Sequence, residues 1–218
     1  TDPIDGSSFR GFLPYGYHKV RKNALSPSTY SLERHRLLWL FLKTDTNFFS
    51  AEKKVLHFAP EQAFYKRFRD MENLDYTTTD LESPMVDVKA DICQLPFKSN
   101  DFDIILCNHV LEHIPDDQRA LKELFRVMKP GGMGIFQIPL DINRKNTFED
   151  KSIIDPKKRA KIFGQYDHVR IYGQDYYSRL EKVGFKTKAF DLISTLKPAE
   201  IIYFGLKKEK IPVAVKNH

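Results

Sequence analysis

The side chains of this 218-residue chain that could do chemistry gather in a few short stretches. In residues 163–173, which read FGQYDHVRIYG, Asp167 adjoins His168, and Arg170 follows two positions later. A carboxylate beside an imidazole can orient it or stabilise its charge, and imidazole is the side chain best tuned to move a proton near neutral pH. A guanidinium fork matches a carboxylate or a phosphate. His168 is thus a candidate general base and Arg170 a candidate clamp for an anionic group. The stretch reads as too polar for a core, and its plain alternative is a surface loop whose side chains cap neighbouring helices. Asp80 closes the stretch LDYTTTD. It lies about twenty residues past the turn after the preceding strand, where doubly wound sheets place the acidic residue that binds ribose hydroxyls.

Seven histidines are present. His18 lies in a loose leading segment and His218 ends the chain, so neither ranks as a site residue. His57 alternates within a strand pattern, which suits a core position. His109 follows a strand at the carboxyl edge of the expected sheet, where ligands bind in such architectures, and is a second candidate base. His113 follows Glu112 in LEHIP and can equally well orient the turn before the next helix. In SLERHRLLWLFL, Arg34, His35 and Arg36 stand beside an apolar face. That fits either a lid helix offering an arginine to a ligand's carboxylate or an amphipathic helix docked on a sheet with its charges in water.

These residues need elements to position them. Residues 1–30, with Gly6, Gly11, Gly16 and three prolines, read as irregular but aromatic enough to pack on something. A helix is expected from about Ser31 to Lys43, capped by Ser31. From there short strands and helices alternate: KVLHFAP, then FYKRFRDM, then LDYTTTD, then a short strand in VDVKADI, then the buried strand of DFDIILCNHVL. Asp116 to Met128 is the clearest helix, with Leu121, Leu124, Phe125 and Met128 on one face and KPGG as its stop. MGIFQIPL follows as a strand, PKKRAKIFG and GQDYYSRLEKVG as helices, and FKTKAFD and EIIYFGLKK as a closing strand pair. Alternation of this kind builds a doubly wound, mainly parallel sheet with helices on both faces.

The composition narrows the field further. Hydrophobic residues make up 41% and charged residues 29%, a globular balance. The longest apolar run, Leu37 to Leu42, is far short of the ~20 residues that span a bilayer. Two cysteines, Cys93 and Cys107, exclude a disulfide framework and make a reducing cytoplasm the default. Residues 1–150 carry 20 basic and 22 acidic side chains, a net of −2, while residues 151–218 carry 15 and 7, a net of +8. Such an end can attract anionic substrates, nucleic acid or a membrane surface, or be a solvated lysine-rich face.

The series DICQLPFKSNDFDIILCNHVLEHIPDDQRALKELFRVMKPGGMGIFQIP closely resembles the class I S-adenosylmethionine-dependent methyltransferases, in particular the small-molecule group that includes quinone-pathway enzymes. The resemblance covers roughly residues 53–140. It implies a seven-stranded Rossmann-like sheet whose last pair includes one antiparallel strand. It implies S-adenosylmethionine as cofactor, with Asp80 on the ribose diol, Leu81 beside the adenine, Asp91 accepting from the adenine amino group, Ile92 packed on the ring, and Asn108 and His109 lining the methionine part. The segment 163–173 then falls where this family places substrate-binding elements. Domain limits follow as an N-terminal segment with a lid-like helix over 1–43 and a methyltransferase domain over 44–218.

Two departures stand out. The family's G-x-G turn reads VLHFAPEQ here, with Ala59 and Glu61 at the glycine positions; Ala59 still permits close approach, and either Glu61 contacts the cofactor's ammonium group or the loop has drifted and binding is weakened. NALSPSTYSLERHRLL is similar to a version with C-P-x-C before the same SLERHR. Ser26 and Thr29 replace those cysteines, so no zinc and no other metal is expected. The function implied is methyl transfer to a small-molecule acceptor, with an anionic acceptor suited to Arg170. The alternatives are a non-catalytic module of the same fold that binds nucleic acid or lipid, and a nicotinamide-dependent oxidoreductase, which the missing G-x-G-x-x-G disfavours. With no RNA-binding motif, nucleic acid is not the expected partner.

Overall fold

The computed structural model describes residues 1–16 and 20–217; His18 and His218 lie outside the described residues. The elements in chain order are β1 (Leu13–Tyr15), β2 (Arg21–Leu25), α1 (Glu33–Thr44), β3 (Lys53–Phe58), α2 (Gln62–Arg69), β4 (Leu74–Asp80), β5 (Val88–Lys89), β6 (Phe102–Cys107) and α3 (Asp117–Val127). There follow β7 (Met128–Ile135), β8 (Phe148–Glu149), α4 (Pro156–Phe163), β9 (Arg170–Ile171), α5 (Tyr176–Glu181), β10 (Phe185–Phe190), α6 (Pro198–Tyr203) and β11 (Ile211–Lys216). The chain divides into two compact units, one of residues 1–53, 60–75 and 189–211 and one of residues 54–59, 76–188 and 212–218.

The larger unit is built on the sheet, whose strand order is β10-β11-β7-β6-β3-β4-β5. The pairs β3–β6, β6–β7 and β4–β5 are parallel, and β11 runs antiparallel to β7. This is the expected α/β architecture, a mainly parallel seven-stranded sheet alternating with helices. The continuous apolar run of β6 has its reason in burial on both faces: Ile104, Ile105, Leu106 and Cys107 are all buried. Leu121 and Leu124 of α3 join Ile105 and Cys107 in one core with Phe136, Tyr176, Leu180 and Phe185. Each fully buried leucine contributes roughly 1.5–3 kcal/mol. Gly184 follows α5 at φ +110°, and a Cβ there would stand 2.8 Å from the Phe125 ring, so two constraints hold that position to glycine.

The smaller unit is organised by Arg36. Its side chain is fully buried in α1 and donates to the carbonyls of Ala24 (3.0 Å), Ser31 (2.8 Å), Phe204 (2.8 Å) and Gly205 (2.7 Å), with its fork 4.0 Å from the Phe12 ring centroid. Burial pulls its pKa down to about 10, which still leaves it a cation at neutral pH. The charges of SLERHR are therefore not simply solvated: His35 is buried as well, and Glu33 pairs with Arg21 at 2.9 Å. Trp39, Phe64 and Phe68 stack with nearly parallel rings. At the Ser26–Thr29 knuckle, the buried carboxylate of Asp2 accepts from the hydroxyls of Thr29 and Ser31, and the Tyr30 amide closes the turn on the Ser26 carbonyl at 3.1 Å.

Four sequence expectations need correction. Leu13–Tyr15 and Arg21–Leu25 are not irregular but pair as the antiparallel strands β1 and β2. Ser31 does not cap α1; it is drawn to Asp2, Leu32 takes the cap position, and its amide is met by the His35 ring at 3.0 Å. The KPGG stretch is not outside the strand but within β7, where the ladder to β6 slips between Phe102 and Ile104. EIIYFGLKK is not a strand: Pro198 at the first turn and Glu200 accepting from the Lys197 amide at 2.8 Å start α6, and the closing strand is IPVAVK, β11. The β-branched pair Ile201–Ile202 misleads because Ile202 is exposed, so no sheet decides its conformation.

Candidate functional site

Strands β6, β3 and β4 are neighbours, so the residues that follow them share one carboxyl edge. Ala59 comes directly after β3 with φ +43°, and its amide donates to the Thr79 carbonyl at 2.9 Å. The left-handed turn expected of glycine is thus made by alanine. Asp80 ends β4; its Oδ1 accepts from the amides of Glu82 and Ser83, each at 2.8 Å. Leu81 beside it is 64% exposed. Asp80 faces Lys89 across the β4–β5 ladder, and its carbonyl accepts from Ala90, which brings Asp91 close by; Asp91 Oδ1 accepts from the Cys93 amide at 2.8 Å. Burial and the neighbouring Asp91 push the Cys93 thiol up to about 11, so it is no nucleophile at neutral pH.

Two more residues carry assignments from the family resemblance. Glu61 belongs to the smaller unit, where its carbonyl accepts from Phe64 and Tyr65 at the start of α2. Ile92, expected against an adenine ring, is buried in the core cluster with Leu95 and Leu111.

Asn108, buried after β6, turns its Oδ1 to the Gln137 amide at 3.4 Å. His109 follows with φ +55°; its amide donates to the Gln137 carbonyl at 2.7 Å, and its Nδ1 lies 3.1 Å from Oε1 of the buried Glu112. Gln137 was missed in the sequence. It is 1% exposed, and neither end of its amide has a partner among the described residues. A polar residue closing the apolar run GIF is the signal that could have found it.

The segment 163–173 does reach this end of the sheet, but with roles redistributed. Asp167 does not orient His168. Its Oδ2 lies 3.2 Å from Nδ1 of His113, while Nδ1 of His168 is 3.2 Å from the Phe163 carbonyl. The two imidazoles meet edge to face, 4.7 Å between centroids. Burial lowers the pKa of His168, with His113 acting in the same direction against Glu112, which favours the neutral ring.

Arg170 is not an anion clamp, and the stretch is not too polar for the core: Arg170 and Tyr172 are 2% and 1% exposed. The guanidinium donates to the carbonyls of Leu111 (3.0 Å), Ile114 and Pro115 (3.0 Å) and to Glu149 Oε2 (3.0 Å), so its fork is spent inside the protein. Tyr172 donates to Asp117 at 2.9 Å, and Arg179 grips the same carboxylate at 2.8 and 3.0 Å. Burial raises the Asp117 pKa, but the Arg179 bonds and the nearby Arg170 outweigh it and hold the carboxyl below its ordinary range. The result is a rigid turn, residues 111–117, carrying Glu112 and His113.

A mainly parallel sheet ending in an antiparallel strand placed between the fifth and sixth, with acidic residues closing its second and third strands, is the class I methyltransferase fold. Residues 54–136 match the family model described as "Methyltransferase domain". Demethylmenaquinone methyltransferase of Staphylococcus carnosus is 48% identical over 48 residues, which cover 22% of this chain and 20% of that protein. The match thus spans about a fifth of that relative's length. A SAM-dependent methyltransferase from Archaeoglobus fulgidus superposes with a TM-score of 0.52 at 14% identity, over 83% of this chain and 93% of the other. Phosphoethanolamine N-methyltransferase 2 of Haemonchus contortus, in complex with S-adenosyl-L-methionine, superposes at 0.51 and 13% identity, over 79% and 51%. At such identities the likeness is one of fold. Among the described residues no helix is long and apolar enough to cross a membrane.

Proposed function

We propose that the chain transfers the methyl group of S-adenosylmethionine to a small-molecule acceptor. The observation that carries this reading is Asp80. Two backbone amides fix its Oδ1 at the carboxyl end of β4, and its Oδ2 has no partner among the described residues. In this reading Oδ2 receives the ribose diol, Asp91 the adenine amino group, and the exposed Leu81 covers an adenine face. Ala59 provides the backbone turn after β3, and Asn108 lies along the methionine part.

When bound, the cofactor supplies a methyl group already activated on a sulfonium, so the protein's task is to position the acceptor and manage its proton. His109 and His168 are the imidazoles proposed for that proton. With Nδ1–H given to the Phe163 carbonyl, His168 carries its lone pair on Nε2. Arg170 acts as a positioning residue, tying its own strand to the turn that holds Glu112 and His113. A chain with only two cysteines suits a cytoplasmic setting.

Calorimetry tests the reading. S-adenosylhomocysteine should bind and NAD should not, and Asp80→Ala should weaken S-adenosylhomocysteine by at least about tenfold, since charge-assisted bonds to ribose are lost. Unchanged affinity in that variant overturns the assignment. Absent S-adenosylhomocysteine binding together with retained RNA or vesicle binding would favour a non-catalytic module.

A further inference from the structure

We infer that Glu112, His113 and His168 form a binding site for one divalent first-row transition cation. One ligand atom of each residue lies within 4.8 Å of the others. Two imidazoles and a carboxylate suit manganese, iron, cobalt, nickel or zinc, whereas magnesium and calcium favour all-oxygen sets. Three protein ligands leave coordination positions open, as in sites that work on a substrate rather than brace a fold.

The surroundings are those of a built site. Imidazoles that bind metal usually give their other ring nitrogen to a carboxylate or a backbone carbonyl, which fixes tautomer and orientation. Both rings here do so through Nδ1: His113 to Asp167, and His168 to the Phe163 carbonyl. Each Nε2 then carries the lone pair. Glu112 is 1% exposed; its Oε1 is held by His109, and its Oε2 is buried without a partner among the described residues. A buried, unpartnered carboxylate oxygen is unfavourable unless something positive meets it. The nearby Arg170 does not: its guanidinium is committed to three carbonyls and Glu149. Arg170 instead locks the turn carrying Glu112 and His113, and the Val169 amide donates to the Glu112 carbonyl at 3.0 Å, which binds the two ligand-bearing segments together.

The site's role, unlike the site itself, rests on the methyl-transfer reading. A cation here would hold an acceptor hydroxyl and lower its pKa. The hydroxyl proton passes to His109, whose ring is not among the three ligands; the acceptor oxygen bonds the methyl carbon, and the S–CH3 bond breaks with its electron pair returning to sulfur.

The test uses the full chain stripped with a chelator and titrated with cobalt(II) chloride, followed by calorimetry and visible absorption, with no cofactor present. One equivalent is expected to bind, with absorption bands of a nitrogen- and oxygen-ligated ion. His113→Gln and His168→Gln should each weaken binding tenfold or more. Cobalt should also raise the melting temperature of the unaltered chain and not of either variant. Circular dichroism of each variant shows whether it is folded. His113 has a 28% exposed side chain, so its variant keeps the test decisive if a change deeper in the cluster disrupts the structure. No stoichiometric binding to the unaltered chain, or undiminished binding in a folded His113→Gln variant, overturns the proposal. Cobalt binding without S-adenosylhomocysteine binding would leave the site standing and remove the methyl-transfer reading.

Discussion

Arg170 and Glu149 are register partners across the short β8–β9 ladder, and Nε and Nη2 of the guanidinium reach one carboxylate oxygen, Oε2, at 3.1 and 3.0 Å. The arginine is buried while the glutamate is 37% exposed, so the two partners are not equivalent. The arginine also answers three carbonyls of the turn before α3; the glutamate does not.

That asymmetry sets the cost of removing each one. Arg170→Ala should destabilise the protein by about 3–5 kcal/mol, because it leaves buried carbonyls unmet and a cavity behind. Arg170→Lys keeps the charge but not the fork, and should recover only part of the loss. Glu149→Gln should cost about 1 kcal/mol. Urea denaturation of the three variants checks the order, and equal losses for Arg170→Lys and Glu149→Gln would contradict it.

Ala59→Gly should stabilise the fold by about 1 kcal/mol. Alanine at φ +43° pays for a left-handed conformation that glycine adopts freely, and the entropy glycine adds to the unfolded chain offsets only part of the gain. The amide of residue 59 keeps its bond to Thr79 in either case. A lowered denaturation midpoint in the glycine variant would mean that the turn is not strained.

The buried imidazole of His168 makes stability depend on pH. Its pKa is lowered in the folded chain, chiefly by burial, so the unfolded chain takes up the proton first as pH falls below about 6.5. Stability should therefore decline from about pH 6.5 down to the folded value and level off below it. Glu112, His113 and Asp167 surround the ring, so the slope belongs to the group. In chelator, His168→Gln should flatten the decline that sets in below about pH 6.5. The carboxyls of Asp117 and Glu33, whose pKa values are lowered, lose their contribution only at more acid pH, outside this window. A slope unchanged in His168→Gln would refute the assignment.

Much of the fold is legible in local pattern. Period and run length mark β6 and α3, because a strand buried on both faces must be continuously apolar and a helix on a sheet must show one apolar stripe. Spacing also placed Asp80 at a strand end, whereas Asp91 was implied only by the family resemblance. Residue types marked 163–173 as a place of chemistry.

Partners were not legible, because they are set by chain crossings rather than by neighbours. His113 and His168 are fifty-five residues apart, and Asp167 serves the distant imidazole rather than the adjacent one. Arg170 looked like a ligand for an anion because its type permits that; fifty-five or more residues away, the carbonyls of Leu111 and Pro115 claim it first. Ile201 and Ile202 looked like strand because their intrinsic preference is for strand, while Pro198 and Glu200 begin a helix that no sheet contact overrides. Sequence alone determined which side chains were available and which edge of the sheet they could reach. Only the tertiary structure decided which of them remained free, since a buried charge or dipole must be satisfied by whatever group the fold brings to it.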